Sequence, residues 1–320
     1  MVKKTHKVRH NYLGLYTLIV REQKRFTSVW TQTLLAPLVT VILFLSIFSV
    51  ILSSKVIGTA NIPYVTFLTP GILTMVILQN SFANTSSSLL ISKVQGNIVD
   101  TLLSPLGPIE IVLGYMIGGV LRGLMVASAI VIVIFPFLSM VPEKPFIFLI
   151  FILLSCIELS LLGILAGILS QKFDHIQALT NFVITPLSFL SGTFYSIKSL
   201  PPFFSLIASF NPVFFLIDGV RYGALGFSEG DLLYNLVWSI ILCFILFYIC
   251  SYIYMCIYIY IWQVLIDDRE ARRHQDGSIQ HRAGLSAGLS VSLAATANLD
   301  IAAAVNTTFW RNGEMPPHPS

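Results

Sequence analysis

Residues 146–169 read FIFLIFILLSCIELSLLGILAGIL, and Glu158 is the one charged residue in this run. A helix needs about 20 mostly apolar residues to cross the hydrocarbon layer of a membrane. Outward from this run, five more stretches meet the same condition, at residues 34–52, 67–90, 111–138, 176–194 and 232–261. The sequence therefore predicts an all-α membrane protein with six transmembrane helices.

The composition of the whole chain agrees with a membrane protein. Hydrophobic residues make up 55% of the 320 residues and charged residues 11%, whereas soluble domains carry about 25% charged residues. These values exclude an ordinary cytosolic enzyme, a secreted disulfide scaffold and a disordered chain. The four cysteines lie in apolar runs and form no CxxC pair, so we interpret them as buried apolar side chains.

Prolines interrupt the chain in and after the fifth predicted span. Pro186 lies inside that span, and the apolar residues 201–225 that follow contain Pro201, Pro202 and Pro212. A stretch broken in this way does not form one regular helix. We expect a re-entrant pair of short helices between the fifth and sixth spans, covered by protein that satisfies the freed backbone groups.

The two ends of the chain differ from the predicted transmembrane domain, residues 34–262. Residues 1–33 are basic, and apolar residues at helical spacing predict an amphipathic helix over residues 11–33. We expect this helix at the membrane interface, with its basic side toward lipid headgroups. Residues 263–320 carry no transmembrane signal, and their composition predicts a poorly ordered cytoplasmic tail.

Lysine and arginine are distributed unevenly along the chain. Seven of the nineteen lie in the first 25 residues; fourteen in total lie on the side of the two termini, four on the other side, and Arg122 lies within the third span. Because cytoplasmic loops are enriched in these residues, both termini are predicted to be cytoplasmic. A basic segment can also bind nucleic acid, but one just before an apolar span is typical of a cytoplasmic flank. We therefore expect no nucleic-acid partner.

The predicted spans contain no sequence motif of a membrane enzyme. HExxH and the phosphate-binding loop GxxxxGK[ST] do not occur, GxSxG occurs only outside the spans, at residues 226–230 and 284–288, and no histidine lies inside a predicted span. We expect a transporter rather than an enzyme, with no catalytic residue, cofactor or metal on this chain. If the protein uses ATP, a second polypeptide must hydrolyse it.

Polar residues within the predicted spans are candidates for a substrate path. A polar group at membrane depth is costly in free energy unless it faces a partner or a water-filled cavity. Asn80 and Asn84 make the second span unusually polar, and Glu158 lies in the middle of the fourth. For Glu158, a polar cavity is favoured over a structural salt bridge. For Arg122, a substrate contact and a side chain that reaches toward the headgroups are equally compatible with the sequence.

Glycines recur four residues apart within the spans, a spacing that lets helices approach closely. The pairs are Gly114 and Gly118, Gly119 and Gly123, and Gly163 and Gly167. Packing within the chain is favoured over a dimer contact.

The loop between the second and third predicted spans contains a short amphipathic helix that ends before Pro105. Its apolar side consists of Ile98, Val99, Leu102 and Leu103. One interpretation is a helix resting on the membrane surface. The other is an element that docks on a cytoplasmic partner.

The order of several motifs resembles the carboxyl-terminal signature of ABC-2 type exporter permeases, the membrane subunits of bacterial ABC transporters. The motifs are FDH at 173–175, ITPLSFLSGTFY at 184–195, LPP at 200–202, NP at 211–212 and RYG at 221–223. The signature positions are Asp174, Pro186, Gly192, Pro201, Pro212 and Arg221. Residues 67–71 and 97–105 are similar to the family's second span and coupling helix, and the resemblance covers about residues 12–262.

The resemblance implies a homodimeric permease that binds a separate cytoplasmic ATPase, with ATP and magnesium on that partner. Besides the amino-terminal helix, the residues expected to contact the ATPase are Asn97, Ile98, Val99, Asp100, Leu102 and Leu103. It also implies a multi-pass protein of the bacterial inner membrane, in contact with membrane lipid, that exports a lipid-linked saccharide, a lipid or a drug. The alternative is an ion-gradient-driven secondary transporter, which predicts more intramembrane acids and an internal repeat.

Overall fold

The computed structural model describes residues 11–52, 56–57, 62–197 and 201–276. Within these ranges the chain consists of helices and one two-stranded antiparallel β-ladder. In chain order the elements are α1 (Tyr12–Thr27), α2 (Trp30–Leu52), β1 (Val56–Ile57), β2 (Ile62–Pro63), α3 (Tyr64–Val94), α4 (Ile98–Leu103), α5 (Pro108–Phe137), α6 (Pro145–Leu169), α7 (Phe173–Leu179), a π-helical turn (Thr180–Ile184), α8 (Thr185–Leu190), α9 (Pro202–Ser209), α10 (Pro212–Leu225) and α11 (Leu232–Asp276). Residues 1–10 of the predicted basic segment, Leu200 of the LPP motif and residues 277–320 of the predicted tail lie outside the described residues.

Among the described residues, five helices are long and apolar enough to cross a membrane. They are Trp30–Ile51, Tyr64–Val94, Pro108–Phe137, Pro145–Leu169 and Leu232–Gln263. These helices confirm five of the six predicted spans. The predicted span at residues 176–194 does not pass the same test, because a π-helical turn divides it into shorter helices.

The segment predicted as the fifth span is helical from Phe173 to Leu190, through α7, the π-helical turn and α8. In this turn the amide of Thr185 donates to the carbonyl of Thr180, five residues back. Pro186 follows directly, and its ring nitrogen cannot donate to the preceding turn. A local widening of the helix accommodates such a position. The irregularity predicted at Pro186 is confirmed, although the chain stays helical through it.

Helix α3 lies at the centre of the bundle, where it contacts α2, α5, α6 and α10. Close contacts at the glycines of α5 and α6 show that α5 runs antiparallel and α6 parallel to α3. The end of α3, α4, the start of α5 and the end of α6 therefore lie together, at what we call the α4 end. The β-ladder, the start of α3 and the loop between α5 and α6 lie at the opposite end, called the β end.

Small residues explain how closely these helices approach. A Cβ atom at Gly119 of α5 would lie 2.2 Å from Ser160 Oγ, and one at Gly163 of α6 would lie 2.6 Å from the carbonyl oxygen of Phe82. The remaining glycines of the predicted pairs also face other elements of the same chain, and they are Gly114, Gly118, Gly123 and Gly167. The prediction of internal packing is confirmed.

The predicted pair of short helices at residues 201–225 is confirmed as α9 and α10. Helix α10 runs antiparallel to α6, because Gly219 packs on Phe151 and Gly223 on Phe148. At the other end of α10, Val213 packs in a cluster with Leu78, from the middle of α3. The turn between α9 and α10 therefore lies inside the bundle rather than on its end.

Several element boundaries differ from the prediction. Helix α2 begins at Trp30 instead of residue 34, so the amphipathic helix α1 already ends at Thr27. Helix α11 continues to Asp276, beyond the predicted start of the tail at residue 263. Residues 264–276 read VLIDDREARRHQD, and Arg, Glu and Ala are good helix formers. The helix therefore extends past the end of the apolar span.

Candidate functional site

Helix α4 lies at the α4 end and is held to the chain by one of its sides. Ile98 and Leu102 are buried in an apolar cluster with Leu18 of α1, and Val99 is half-buried. The opposite side, with Asn97, Asp100 and Leu103, is exposed. Of the six residues expected to contact a partner, Ile98 and Leu102 are thus turned inward, because their side chains pack in this cluster, which also includes Leu89 of α3 and Ile111 of α5.

A cleft of about 330 Å³ separates α4 from α1. Gly14, Thr17 and Arg21 line it on the side of α1, and Asp100 and Thr101 line it on the side of α4. A hydrogen bond connects the start of α1 to α5, since the backbone amide of Asn11 donates to Glu110 Oε1 over 2.8 Å. The two predicted docking elements, α1 and α4, therefore line the same cleft.

Helix α1 turns an acidic side chain into the protein. Glu22 is buried, accepts a hydrogen bond from Ser88 Oγ over 2.7 Å, and lies 3.3 Å from Arg25 and 3.5 Å from Arg21. A buried carboxylate requires such partners. Arg21 and Arg25, on the basic side predicted to face lipid headgroups, bind protein groups, and the Arg21 side chain is still 49% exposed.

Two of the predicted path residues, Asn80 and Asn84, each accept a hydrogen bond from an arginine. Arg25 Nη2 donates to Asn84 Oδ1 over 2.8 Å and to its backbone carbonyl over 2.9 Å. Arg122 Nη2 donates to Asn80 Oδ1 over 3.4 Å. Arg122 lies near the middle of α5 and points at α3. The structure thus places its side chain against α3 in the bundle.

Glu158 does not join this group. It is buried in α6 opposite Ser239 and Cys243 of α11. In the described part of the chain, Glu158 Oε1 has no hydrogen-bond partner. Cys156 and Ser160, on another side of α6, face the glycines of α5 instead. Asn80 and Asn84 therefore lie where α3 meets α1 and α5, whereas Glu158 lies between α6 and α11.

Two signature residues, Gly192 and Arg221, contact each other. Arg221 is fully buried in α10, where Nη2 donates to the Gly192 carbonyl over 2.7 Å and the guanidinium lies 4.0 Å from the centre of the Phe67 ring. Its Nη1 atom is 3.8 Å from the carboxylate of Glu229. Gly192 has a φ of 74°, in the left-handed region that favours glycine. This contact closes the loop after α8 over α10.

Of the remaining signature residues, three are prolines near the start of a helix and one is an exposed acid. Pro186 follows the π-helical turn, Pro201 precedes α9, and Pro212 is in the first turn of α10. Proline is tolerated in a first turn because the amide there has no partner within the helix. Asp174, in the first turn of α7, is exposed.

Glu22, Arg25 and Asp218 are among the buried or partly buried charged residues that the sequence analysis missed. A signal was present, since Glu22 precedes Arg25 by three positions and Asp218 precedes Arg221 by three. This spacing places both side chains on one side of a helix. Glu22 and Arg25 form an ion pair, whereas Arg221 lies within ion-pair distance of Glu229.

Comparison with known proteins identifies the family. The sequence profile described as ABC-2 type transporter matches residues 14–225. The inner membrane transport permease YadH of Escherichia coli (strain K12) is 32% identical over 243 residues, which are 72% of this chain and 95% of the relative. The Shigella flexneri protein of the same name gives the same values.

The profile match begins within α1 and ends with α10. It therefore includes α4, the asparagines of α3 and the signature residues. It favours an ABC-type permease over an ion-gradient-driven carrier. The chain belongs to the ABC-2 type transporter family, as a membrane permease subunit rather than an enzyme.

Proposed function

We propose that the chain works as a homodimer, bound to a separate cytoplasmic ATPase, and exports a substrate across the bacterial inner membrane. Family membership supports the ATPase partner, and the name of the relative supports the inner membrane. ATP and magnesium bind to the partner in this proposal. ATP binding and hydrolysis there rock the two permease copies and move a lipid-linked saccharide, a lipid or a drug outward.

The exposed side of α4 is the observation that carries this proposal. Leu103 is 49% exposed, and Val94, at the end of α3, is 59% exposed. Apolar side chains outside the membrane are favourable where a partner covers them. The cleft between α1 and α4 adds a concave surface beside them. Because Ile98 and Leu102 pack in a cluster with residues of α3 and α5, a movement of the partner reaches the transmembrane helices.

In the proposed orientation the α4 end and both termini face the cytoplasm, since the loops at this end carry most of the lysines and arginines. The helical segment Phe173–Leu190 then crosses the membrane as a sixth pass. At about 1.5 Å per residue it reaches about 27 Å, close to the hydrocarbon thickness of about 30 Å. The position of the end of this segment supports a sixth pass. Phe189 stacks on Phe194, and Phe194 contacts Phe48 near the end of α2.

The substitution Leu103→Asp tests the docking surface. The side chain is half exposed, so the variant should fold and insert, while a charge in an apolar contact should weaken ATPase binding at least about tenfold, or about 1.4 kcal/mol. Mild-detergent purification of the tagged chain from its own membranes, followed by mass spectrometry, should yield a stoichiometric partner that carries GxxxxGK[ST]. The same purification with Leu103→Asp should recover little of it.

Leu233→Asp serves as the matched control, because Leu233 is also an exposed leucine but lies at the start of α11, at the β end. It should retain the partner. Leu102→Asp places a charge in the anchor of α4 and should reduce the amount of folded permease instead. Equal recovery of the ATPase with Leu103→Asp and the unmodified chain would contradict docking on α4. Recovery of the unmodified chain without any ATPase would contradict the proposed function.

A further inference from the structure

Positive charge exceeds negative charge where α1, α3 and α5 meet. Arg21, Arg25 and Arg122 lie along this seam, and Glu22 pairs with the first two. In the described part of the chain, no carboxylate lies within ion-pair distance of Arg122. Arg25 binds Asn84 and Arg122 binds Asn80, one turn earlier on α3, so the two guanidinium groups lie on neighbouring turns of that helix. Glu22 thus balances one of the three positive charges, and among the described residues the seam lacks an anion that would balance the others.

Hydrogen-bond donors at this seam also lack partners. The Asn84 side chain is fully buried, and its Nδ2 atom has no acceptor among the residues that the structure describes. The same holds for Arg122 Nε. Asn84 Nδ2 points toward α5, since it lies 3.8 Å from where a Cβ of Gly118 would be. Gly118 is one helical turn before Arg122, so both unpartnered donors face the same part of the seam.

The seam is accessible from one side. Arg122 and Asn80 are half-buried, and the Arg25 side chain is 29% exposed. Trp30, at the start of α2, is 57% exposed, and tryptophans at the end of a span lie at the level of lipid headgroups. Arg25 is five residues before Trp30, so the opening of the seam lies close to headgroup depth. Lipid phosphates occupy this depth.

We propose that Arg122 and Arg25, together with the Asn84 amide, bind a phosphate group. Guanidinium groups bind phosphate oxygens through two parallel hydrogen bonds, and two arginines suit a group with several charged oxygens. The phosphate accepts from Asn84 Nδ2 and Arg122 Nε, and it supplies the missing negative charge. If the chain is the exporter proposed above, this site binds the anionic headgroup of a lipid or lipid-linked substrate.

Binding measurements on the purified full-length chain test the phosphate site without the ATPase. The probes are short-chain phosphatidic acid, short-chain phosphatidylcholine and inorganic phosphate, each titrated against permease in neutral detergent. The unmodified chain should bind phosphatidic acid at least tenfold more tightly than phosphatidylcholine, and Arg122→Gln should weaken phosphatidic acid binding at least tenfold. Competition by inorganic phosphate would identify a free phosphate as a ligand, and its failure to compete would identify a lipid-borne one.

Lys24→Gln is the matched control, because it removes one positive charge from an exposed residue of α1. Its affinity should stay within twofold of the unmodified chain. Asn84→Asp is a second variant that keeps the size of the side chain and pairs the new carboxylate with Arg25, so it should fold and still weaken binding at least tenfold.

If folded Arg122→Gln or folded Asn84→Asp binds phosphatidic acid as tightly as the unmodified chain, the phosphate site is wrong. It is also wrong if Lys24→Gln loses as much affinity for phosphatidic acid as Arg122→Gln does. The measurement is independent of the ATPase, so Leu103→Asp should bind phosphatidic acid normally. Failure of the phosphate site and failure of the proposed function therefore give different results.

Discussion

Asp218 of α10 is a fully buried carboxylate with four hydrogen-bond donors around it. Ser228 Oγ donates over 2.7 Å, Asn235 Nδ2 over 2.9 Å, and the amides of Glu229 and Gly230 over 2.8 and 3.0 Å. These donors come from the loop before α11 and from α11 itself. At the scale of single residues, Asp218 therefore attaches the re-entrant pair to the last helix.

The substitution Asp218→Asn should destabilise the permease strongly. The new amide group turns an NH₂ toward a donor and removes the charge that attracts the buried Arg221. Loss of one member of a buried charged network costs about 3 kcal/mol. Thermal unfolding of the purified permease in detergent should therefore begin at a clearly lower temperature.

Asp231→Asn provides the comparison, because Asp231 is exposed and accepts one bond, from the Leu233 amide over 3.0 Å. Its melting temperature should stay close to that of the unmodified chain. Equal melting temperatures for both variants would show that the four bonds of Asp218 are not important for stability.

At the scale of elements, the turn between α9 and α10 depends on Asn211. The side chain is buried; its Oδ1 atom accepts from the Val213 amide over 3.0 Å, and Nδ2 donates to the Leu187 carbonyl over 2.8 Å and to Ser191 Oγ over 2.6 Å. One amide therefore caps α10 and joins it to α8. Backbone groups inside a membrane protein need such partners, since no bulk water replaces them.

The substitution Asn211→Ala should lower the free energy of unfolding by about 2 kcal/mol, from a lost helix cap and from polar groups left without a partner. Asn97→Ala is the control: Asn97 precedes α4, but its side chain makes no capping bond and is exposed. Thermal unfolding should separate the two variants. A melting temperature of Asn211→Ala as high as that of Asn97→Ala would rule out the cap as a source of stability.

At the scale of the whole molecule, the α4 end and the β end should face opposite sides of the membrane. Gln95, in the loop before α4, and Val141, in the loop between α5 and α6, are exposed at opposite ends. In intact spheroplasts, a membrane-impermeant maleimide should label Val141→Cys but not Gln95→Cys. After permeabilisation it should label both.

The unmodified chain measures the background labelling in this experiment, because its cysteines lie within α6 and α11. Labelling of Gln95→Cys alone in intact spheroplasts would reverse the proposed orientation. Labelling of both variants there would mean that the two loops lie on the same side.

The family, the five regular spans and the α9–α10 pair followed from the sequence. Hydrophobicity and proline act locally, and a chain in lipid must satisfy its backbone groups within each segment. Residue-level expectations were less complete. Leu102 and Leu103 are adjacent and equally apolar, yet one is buried and the other exposed. A rotation of about 100° per residue separates them, and packing in the apolar cluster formed with α1, α3 and α5 decides which one points inward.

The sequence by itself therefore determined that this is a helical membrane permease, where its spans run and which loop holds the short α4 helix. The tertiary structure decided the partners of the polar side chains. It placed Arg25 on Asn84, 59 positions away, it separated Glu158 from Asn80, and it joined Arg221 to Gly192. Such pairings depend on how each helix is rotated against its neighbours, and a transmembrane segment that is apolar on all sides shows little of that rotation in its sequence.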